Sequence, residues 1–139
     1  MLPAGYLIRL AQEADLDQIA HIEFEAAELF EPYGLKELCQ QPTPIELLIN
    51  GIKNQCCWVV IDSRNFPVGF TLTSLLGKIG HIEEIVVLPE HGRKGLGTAL
   101  LNTIDKWANS KSLETVVLTT FSHIPWNAPY YLKKGFKIL

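Results

Sequence analysis

Val86-Val87-Leu88-Pro89-Glu90-His91-Gly92-Arg93-Lys94-Gly95-Leu96-Gly97-Thr98 is the stretch that decides how this chain folds. An apolar strand runs into Pro89, a turn holding Gly92, Gly95 and Gly97 follows, and a long helix begins at once. Leu96, Ala99, Leu100, Ile104, Trp107 and Ala108 recur at helical spacing over residues 96–110. Glycines allow a backbone to approach a ligand closely and to adopt conformations that side chains forbid. The first N–H groups of a helix lack partners, and its dipole adds positive potential there. A pyrophosphate is the natural guest of such a corner, with Arg93 and Lys94 adding charge. Glycine spacing alone is a weak signal, since three glycines also make an ordinary strand-to-helix turn. No Lys-Ser or Lys-Thr pair follows the last glycine, so the loop is not a P-loop. A dinucleotide fingerprint would follow the first strand of a βαβ unit, whereas this loop comes late, after a hairpin pattern.

Working outward, residues 6–11 read as an opening strand, and Asp15 reads as the N-cap of a helix bearing Leu16, Ile19, Ala20, Ala26, Ala27 and Phe30. Glu31-Pro32-Tyr33-Gly34 ends it. Thr43-Pro44-Ile45-Glu46 reads as a cap, a proline at the first helical position and a capping-box acid, opening a helix that frays near Gly51. Residues 57–61 make a buried strand, Asp62-Ser63-Arg64-Asn65 a turn, and residues 68–75 the returning strand of a hairpin. Residues 81–88 form a third strand, 115–121 a β-branched one, and 128–134 a short helix before Gly135, with Phe136 opening a last strand. No linker or repeat interrupts this order, so residues 1–139 read as one α/β domain.

The bulk numbers agree. At 139 residues the chain suffices for one core, and its 47% hydrophobic and 19% charged content is that of a globular protein. A net charge of −3 argues against a nucleic-acid partner. Cys39, Cys56 and Cys57 make a poor disulfide framework and offer no spaced pair for zinc, so no metal is expected. They read as reduced, partly buried thiols rather than nucleophiles. No apolar run approaches a membrane span and residues 1–9 lack a signal-peptide pattern, which points to a cytoplasmic protein.

At this point the chain resembles the GNAT superfamily of acetyltransferases. Val87-Leu88-Pro89 followed by Gly92-Arg93-Lys94-Gly95-Leu96-Gly97 is similar to its acetyl-CoA motif, and Tyr131-Leu132-Lys133-Lys134-Gly135-Phe136 to its downstream Tyr-x-x-x-Gly-Phe motif. The opening Arg9-x-Ala11-x-x-x-Asp15-Leu16 resembles the family's usual start. The resemblance implies a mixed, splayed sheet of α+β type with helices on both faces, holding acetyl-CoA between the strands that end at Pro89 and Phe121. It implies pantetheine amides on the backbone of Ile85, Val86 and Val87, and pyrophosphate on the N–H groups of residues 93–98, Thr98 included. The family usually has Gln or Arg where Gly92 stands, so Arg93 takes over that contact. Asn127 lies four residues before Tyr131, closer than the family's coenzyme-contacting Asn, and reads equally as a helix cap. The chain stops three residues after Phe136, where the family continues into a further strand. The expectation is a piece of a longer protein, or a second copy (a homodimer) covering the strand at residues 115–121.

Amine acetylation needs a neutral amine, a polarised thioester and a proton for the leaving thiolate. Glu83 and Glu84 lie on the strand ahead of the loop, on opposite faces by strand alternation, with His81 sharing the face of Glu83. The pair is similar to one in glucosamine-phosphate acetyltransferases, and the family often places its base here. Glu84 is preferred over Glu83, although spacing does not separate them. Tyr131 is the expected acid, since a phenol with pKa near ~10 matches a coenzyme thiolate; Tyr130 lacks the motif spacing. His21, His91 and His123 have no partners at ligand spacing and read as surface or ordinary polar residues. Trp126, Tyr33, Glu28, Glu31 and Glu37 are as readily surface or core as acceptor contacts. The reading is an N-acetyltransferase for a small-molecule or peptide amine; the alternative is a non-catalytic acyl-CoA-binding module.

Overall fold

In a computed structural model of the protein, the structure describes residues 2–27, 43–92, 94–118 and 137–138. Among the described residues, six strands form one sheet in sequence order. They are β1 (Leu7–Leu10), β2 (Cys57–Ile61), β3 (Pro67–Leu76), β4 (Ile79–Val87), β5 (Thr115–Leu118) and β6 (Lys137–Ile138). The first four are antiparallel neighbours, with short connections from β2 to β3 and from β3 to β4, whereas β5 runs parallel to β4 and β6 parallel to β5. The outer edge of β5 is therefore taken at Val117 and Leu118, by Lys137 and Ile138 of β6.

The helices are α1 (Leu16–Ala27), α2 (Ile45–Lys53) and α3 (Leu96–Ser110). All five residues of β2 are buried, which requires cover on both faces of the sheet. Ile19 and Ile22 of α1 and Leu48 of α2 pack with Val59, Phe70 and Leu72. Leu101, Ile104 and Trp107 of α3 pack with Trp58 and Ile82, the two indoles meeting edge to face at 6.1 Å.

Local chemistry departs from the sequence reading at three places. Asp15 does not cap α1; it closes a 3₁₀ turn, Glu13–Asp15, whose cap is Gln12. Its carboxylate accepts the Gln12 N–H at 2.8 Å and a two-pronged contact from Arg9 at 2.8 and 3.0 Å. Thr43 does not cap α2 either, because its hydroxyl and N–H are both committed to Glu23 of α1. At Gly51 the helix does not fray but continues to Lys53. The glycine is there because a Cβ would collide with Cδ1 of Leu72.

Candidate active site

The coenzyme side lies along the second half of β4 and the loop that follows it. β4 pairs with β3 from Ile79↔Leu76 through Val87↔Gly69. With β5 it pairs from Ile79↔Thr115 to Ile82↔Leu118, where the described part of β5 ends. Among the described residues, the backbone of residues 83–87 therefore has no ladder partner on the β5 side. The chain then bonds Leu88 N–H to the Val68 carbonyl at 2.9 Å, turns through Pro89–His91, and enters α3.

Gly95 caps α3 with φ 80° and ψ 11°, a left-handed conformation that side chains disfavour. A Cβ there would meet nothing within 4 Å, so backbone conformation alone selects glycine. The first helical bond runs from Ala99 N–H to the Gly95 carbonyl at 3.0 Å, so the N–H groups of Leu96 and Gly97 precede the ladder. Leu96 is buried and anchors this corner in the core. An open strand edge leading to a helix N-terminus suits a chain of amides that ends in a pyrophosphate. His91, read from the sequence as a surface or ordinary polar residue with no partner at ligand spacing, makes a polar contact with the Tyr6 hydroxyl, 2.7 Å from its Nδ1. Lys94 Nζ stands 5.9 Å from the centre of the same tyrosine ring. Residues 85 positions apart in the chain meet here, which no local pattern encodes.

The acid side depends on a register shift. Leu72 pairs with Glu84 and Thr73 with Ile82, so Glu83 is the extra residue of a bulge. Strand alternation fails at that point. Glu84 shares the face of its partner Leu72, which packs against α1 and α2. Glu83 accepts the Ser74 hydroxyl at 2.5 Å and lies 3.1 Å from His81 Nδ1. Ser74 stands two residues beyond Leu72, on the same face. The expected opposition of the two acids is thus corrected by the bulge, while the shared face of His81 and Glu83 holds. Burial pushes the Glu84 carboxyl up to about 7, and the charges of Glu23 and Glu83 act in the same direction. Its carbonyl is fixed by the Thr71 hydroxyl at 2.8 Å.

Glu23 was not singled out by the sequence. Its Oε2 accepts the Thr43 hydroxyl at 2.7 Å and the Thr43 N–H at 3.1 Å. Its Oε1 is buried with no hydrogen-bond partner among the described residues. Burial raises its pKa, and the Thr43 bonds pull it back only in part. The available signal was positional: Glu23 lies four residues after Ile19, on the stripe that Ile22 also marks as core-facing.

Other candidates divide cleanly. Glu83, Glu84, Ile85, Val86, Val87, Gly92, Lys94, Gly95, Leu96, Gly97 and Thr98 lie along one strand, loop and helix start. Arg93, Asn127 and Tyr131 lie outside the described residues, as do Tyr130, His123, Trp126, Tyr33, Glu28, Glu31, Glu37, Cys39 and the helix expected at 128–134. Cys56 and Cys57 are buried free thiols, and burial pushes Cys57 up to about 12, which removes it as a nucleophile at neutral pH. His21 is exposed, 3.8 Å from Glu25. Among the described residues, no group of three or more His, Cys, Asp or Glu side chains could hold a metal ion. No described helix is long and apolar enough to cross a membrane.

Comparison with known proteins joins this geometry to a family. The model of the acetyltransferase (GNAT) family matches residues 14–136. The chain is 27% identical over 136 residues to S-(2-succino)cysteine N-acetyltransferase of Bacillus subtilis (strain 168), covering 92% of this chain and 82% of the relative. The fold is shared with the PaiA N-acetyltransferase of Thermoplasma acidophilum, solved in complex with coenzyme A. That structure has a TM-score of 0.83 at 17% identity, with 95% of this chain and 89% of that one covered. It is shared too with the ribosomal-protein-S18-alanine N-acetyltransferase of Escherichia coli, with a TM-score of 0.75 at 19% identity over 95% and 77% of the two chains.

Proposed function

This chain belongs to the acetyltransferase (GNAT) family and is an N-acetyltransferase that uses coenzyme A, and from that premise we propose a direct transfer to a primary amine with Glu84 as base. The observation that carries the reading is the run of β4 into the Gly95-capped start of α3, with the Glu84 carboxyl on the same stretch of β4. Acetyl-CoA supplies a thioester-activated acetyl group. The edge of residues 85–87 would hold its pantetheine amides, and the N–H groups at the start of α3 its pyrophosphate. Arg93, Lys94 and Asn127 are assigned to the same ligand.

A carboxylate that titrates near the working pH is well matched to removing a proton from an ammonium, directly or through one water. Ionised Glu84 would take that proton, and the freed nitrogen would bond to the acetyl carbon as the carbon–sulfur bond breaks. The departing sulfur would receive its proton from Tyr131, and the second proton left on the new amide nitrogen would pass through water to the tyrosinate. Glu83, bonded to Ser74 and beside His81, is better suited to holding Glu84 in place than to accepting the proton. The acceptor is a primary amine of a small molecule or a peptide, and the buried thiols of Cys56 and Cys57 suit a cytoplasmic setting.

The test is release of free thiol from acetyl-CoA across a panel of amines. Glu84→Gln and Tyr131→Phe should each lower turnover by about 10²–10⁴-fold while coenzyme affinity stays near that of the unaltered protein. Wild-type turnover in either variant, where chemistry limits the rate, would remove that residue from its role.

A further inference from the structure

Glu23 sits where a helix facing a core should carry an apolar side chain. Thr43 saturates one of its carboxylate oxygens and leaves Oε1 buried without a donor among the described residues. Buried acceptors are ordinarily satisfied, so an orphan at a site implies a donor brought by something that binds there. α1 packs on β4, and the charge of Glu23 acts on Glu84. Among the described residues, the ionisable groups whose charges act on Glu84 are Glu23 from α1 and Glu83 from β4, the latter with His81 beside it. Its described neighbours on β3, Thr71, Leu72 and Ser74, carry no charge. Two carboxylates turned toward each other need a shared proton or a cation between them. An ammonium group brings three donors and a positive charge, enough to satisfy Oε1 and Glu84 together.

We propose that Glu23 determines the acceptor class: clamped by Thr43 and facing Glu84 across the α1–β4 contact, it selects a cationic amine whose amino-bearing carbon carries no carboxylate. The inference rests on Glu84 being the group that meets the acceptor amine. The ammonium proton passes to Glu84, while Glu23 stays ionised and keeps the incoming nitrogen in place. A carboxylate on the same carbon would bring a third negative charge into the pair and be repelled.

The experiment compares matched acceptors: phenethylamine with phenylalanine, agmatine with arginine, and alaninamide with alanine. The wild-type protein should acetylate the member without the carboxylate with a kcat/KM at least about tenfold higher. Glu23→Gln keeps an oxygen for Thr43 and should fold with an unchanged melting temperature. It should raise KM for the amines more than it lowers kcat, and shrink the preference to about threefold or less. The rising limb of its kcat/KM profile should move to lower pH, because Glu84 loses a neighbouring charge. A folded Glu23→Gln that keeps both the preference and the pH limb overturns the proposal, as does a wild-type preference for the free amino acids. Glu84→Gln separates the two readings. If it acetylates every amine as well as wild type, the base assignment fails and this inference with it. If it is inactive while Glu23→Gln behaves as wild type, only this inference fails.

Discussion

At the residue scale, an ionised Glu84 works against the folded state. Burial, with Glu23 and Glu83 adding to it, raises its pKa from 4.5 to about 7. Folding thus favours the protonated acid: the contribution of Glu84 to stability is fully present below about pH 4.5 and drains away as the pH rises through about 7. Glu84→Gln cannot ionise and should escape that loss. The melting temperature of the variant should gain on the wild type between pH 5 and pH 8, by roughly 5 °C or more. Parallel melting curves across that range would show that Glu84 is not buried as an acid. Asp15 bounds the experiment from below. Burial pushes it upward too, but the Arg9 guanidinium and the Gln12 N–H hold it below its ordinary value. Its contribution is therefore lost only as the pH falls below the ordinary carboxylate range, well clear of the Glu84 window. The sequence exposed Glu84 as a candidate because it precedes the glycine loop. Glu23 stayed hidden because its partner Thr43 and its neighbour Glu84 lie on other elements.

At the element scale, the loop from β4 to α3 can be tested apart from the chemistry. Gly95 has φ 80° and open space where a Cβ would stand. Substitutions should therefore rank by tolerance of the left-handed region, with Asn mildest, Ala worse and Val worst. Gly95→Val should weaken acetyl-CoA binding at least about tenfold by calorimetry, since left-handed strain of about 1–3 kcal/mol would be relieved by moving the cradle. An unchanged dissociation constant for Gly95→Val would take the loop out of the site. This element was legible because its signals are local: glycine spacing, a strand before, helical periodicity after. Its neighbours were not. Thr43 carries a sound capping pattern, yet an acid from a distant helix competes for its hydroxyl. Gly51 reads as a helix end only until Leu72 of the sheet occupies the space a side chain would take. The faces of Glu83 and Glu84 followed alternation on paper, and a bulge set by cross-strand register reversed the outcome.

At the scale of the whole molecule, the order of elements was readable from the residues, while the splay of the sheet came only from the family resemblance, because strand pairing depends on chain segments far apart. Among the described residues, β4 has no partner on its β5 side along residues 83–87, the described part of β5 ending at Leu118 opposite Ile82. Unpaired N–H and C=O groups in an otherwise buried sheet are an edge inside the protein, open to any strand-like guest. A ligand with amides of its own completes the hydrogen-bond ladder as a surrogate strand would. Deuterium should therefore enter the amides of residues 85–87 quickly in the free protein and slowly with acetyl-CoA present, while Val59 and Phe70, buried in the centre of the sheet, change little. Equal exchange with and without the coenzyme would mean that the ligand lies elsewhere. With the coenzyme along that edge, as proposed, the supply of acetyl-CoA would become a factor in the protein's lifetime. A population starved of the coenzyme would present its own backbone to neighbouring chains, and one that is well supplied would be shielded from aggregation by its own substrate.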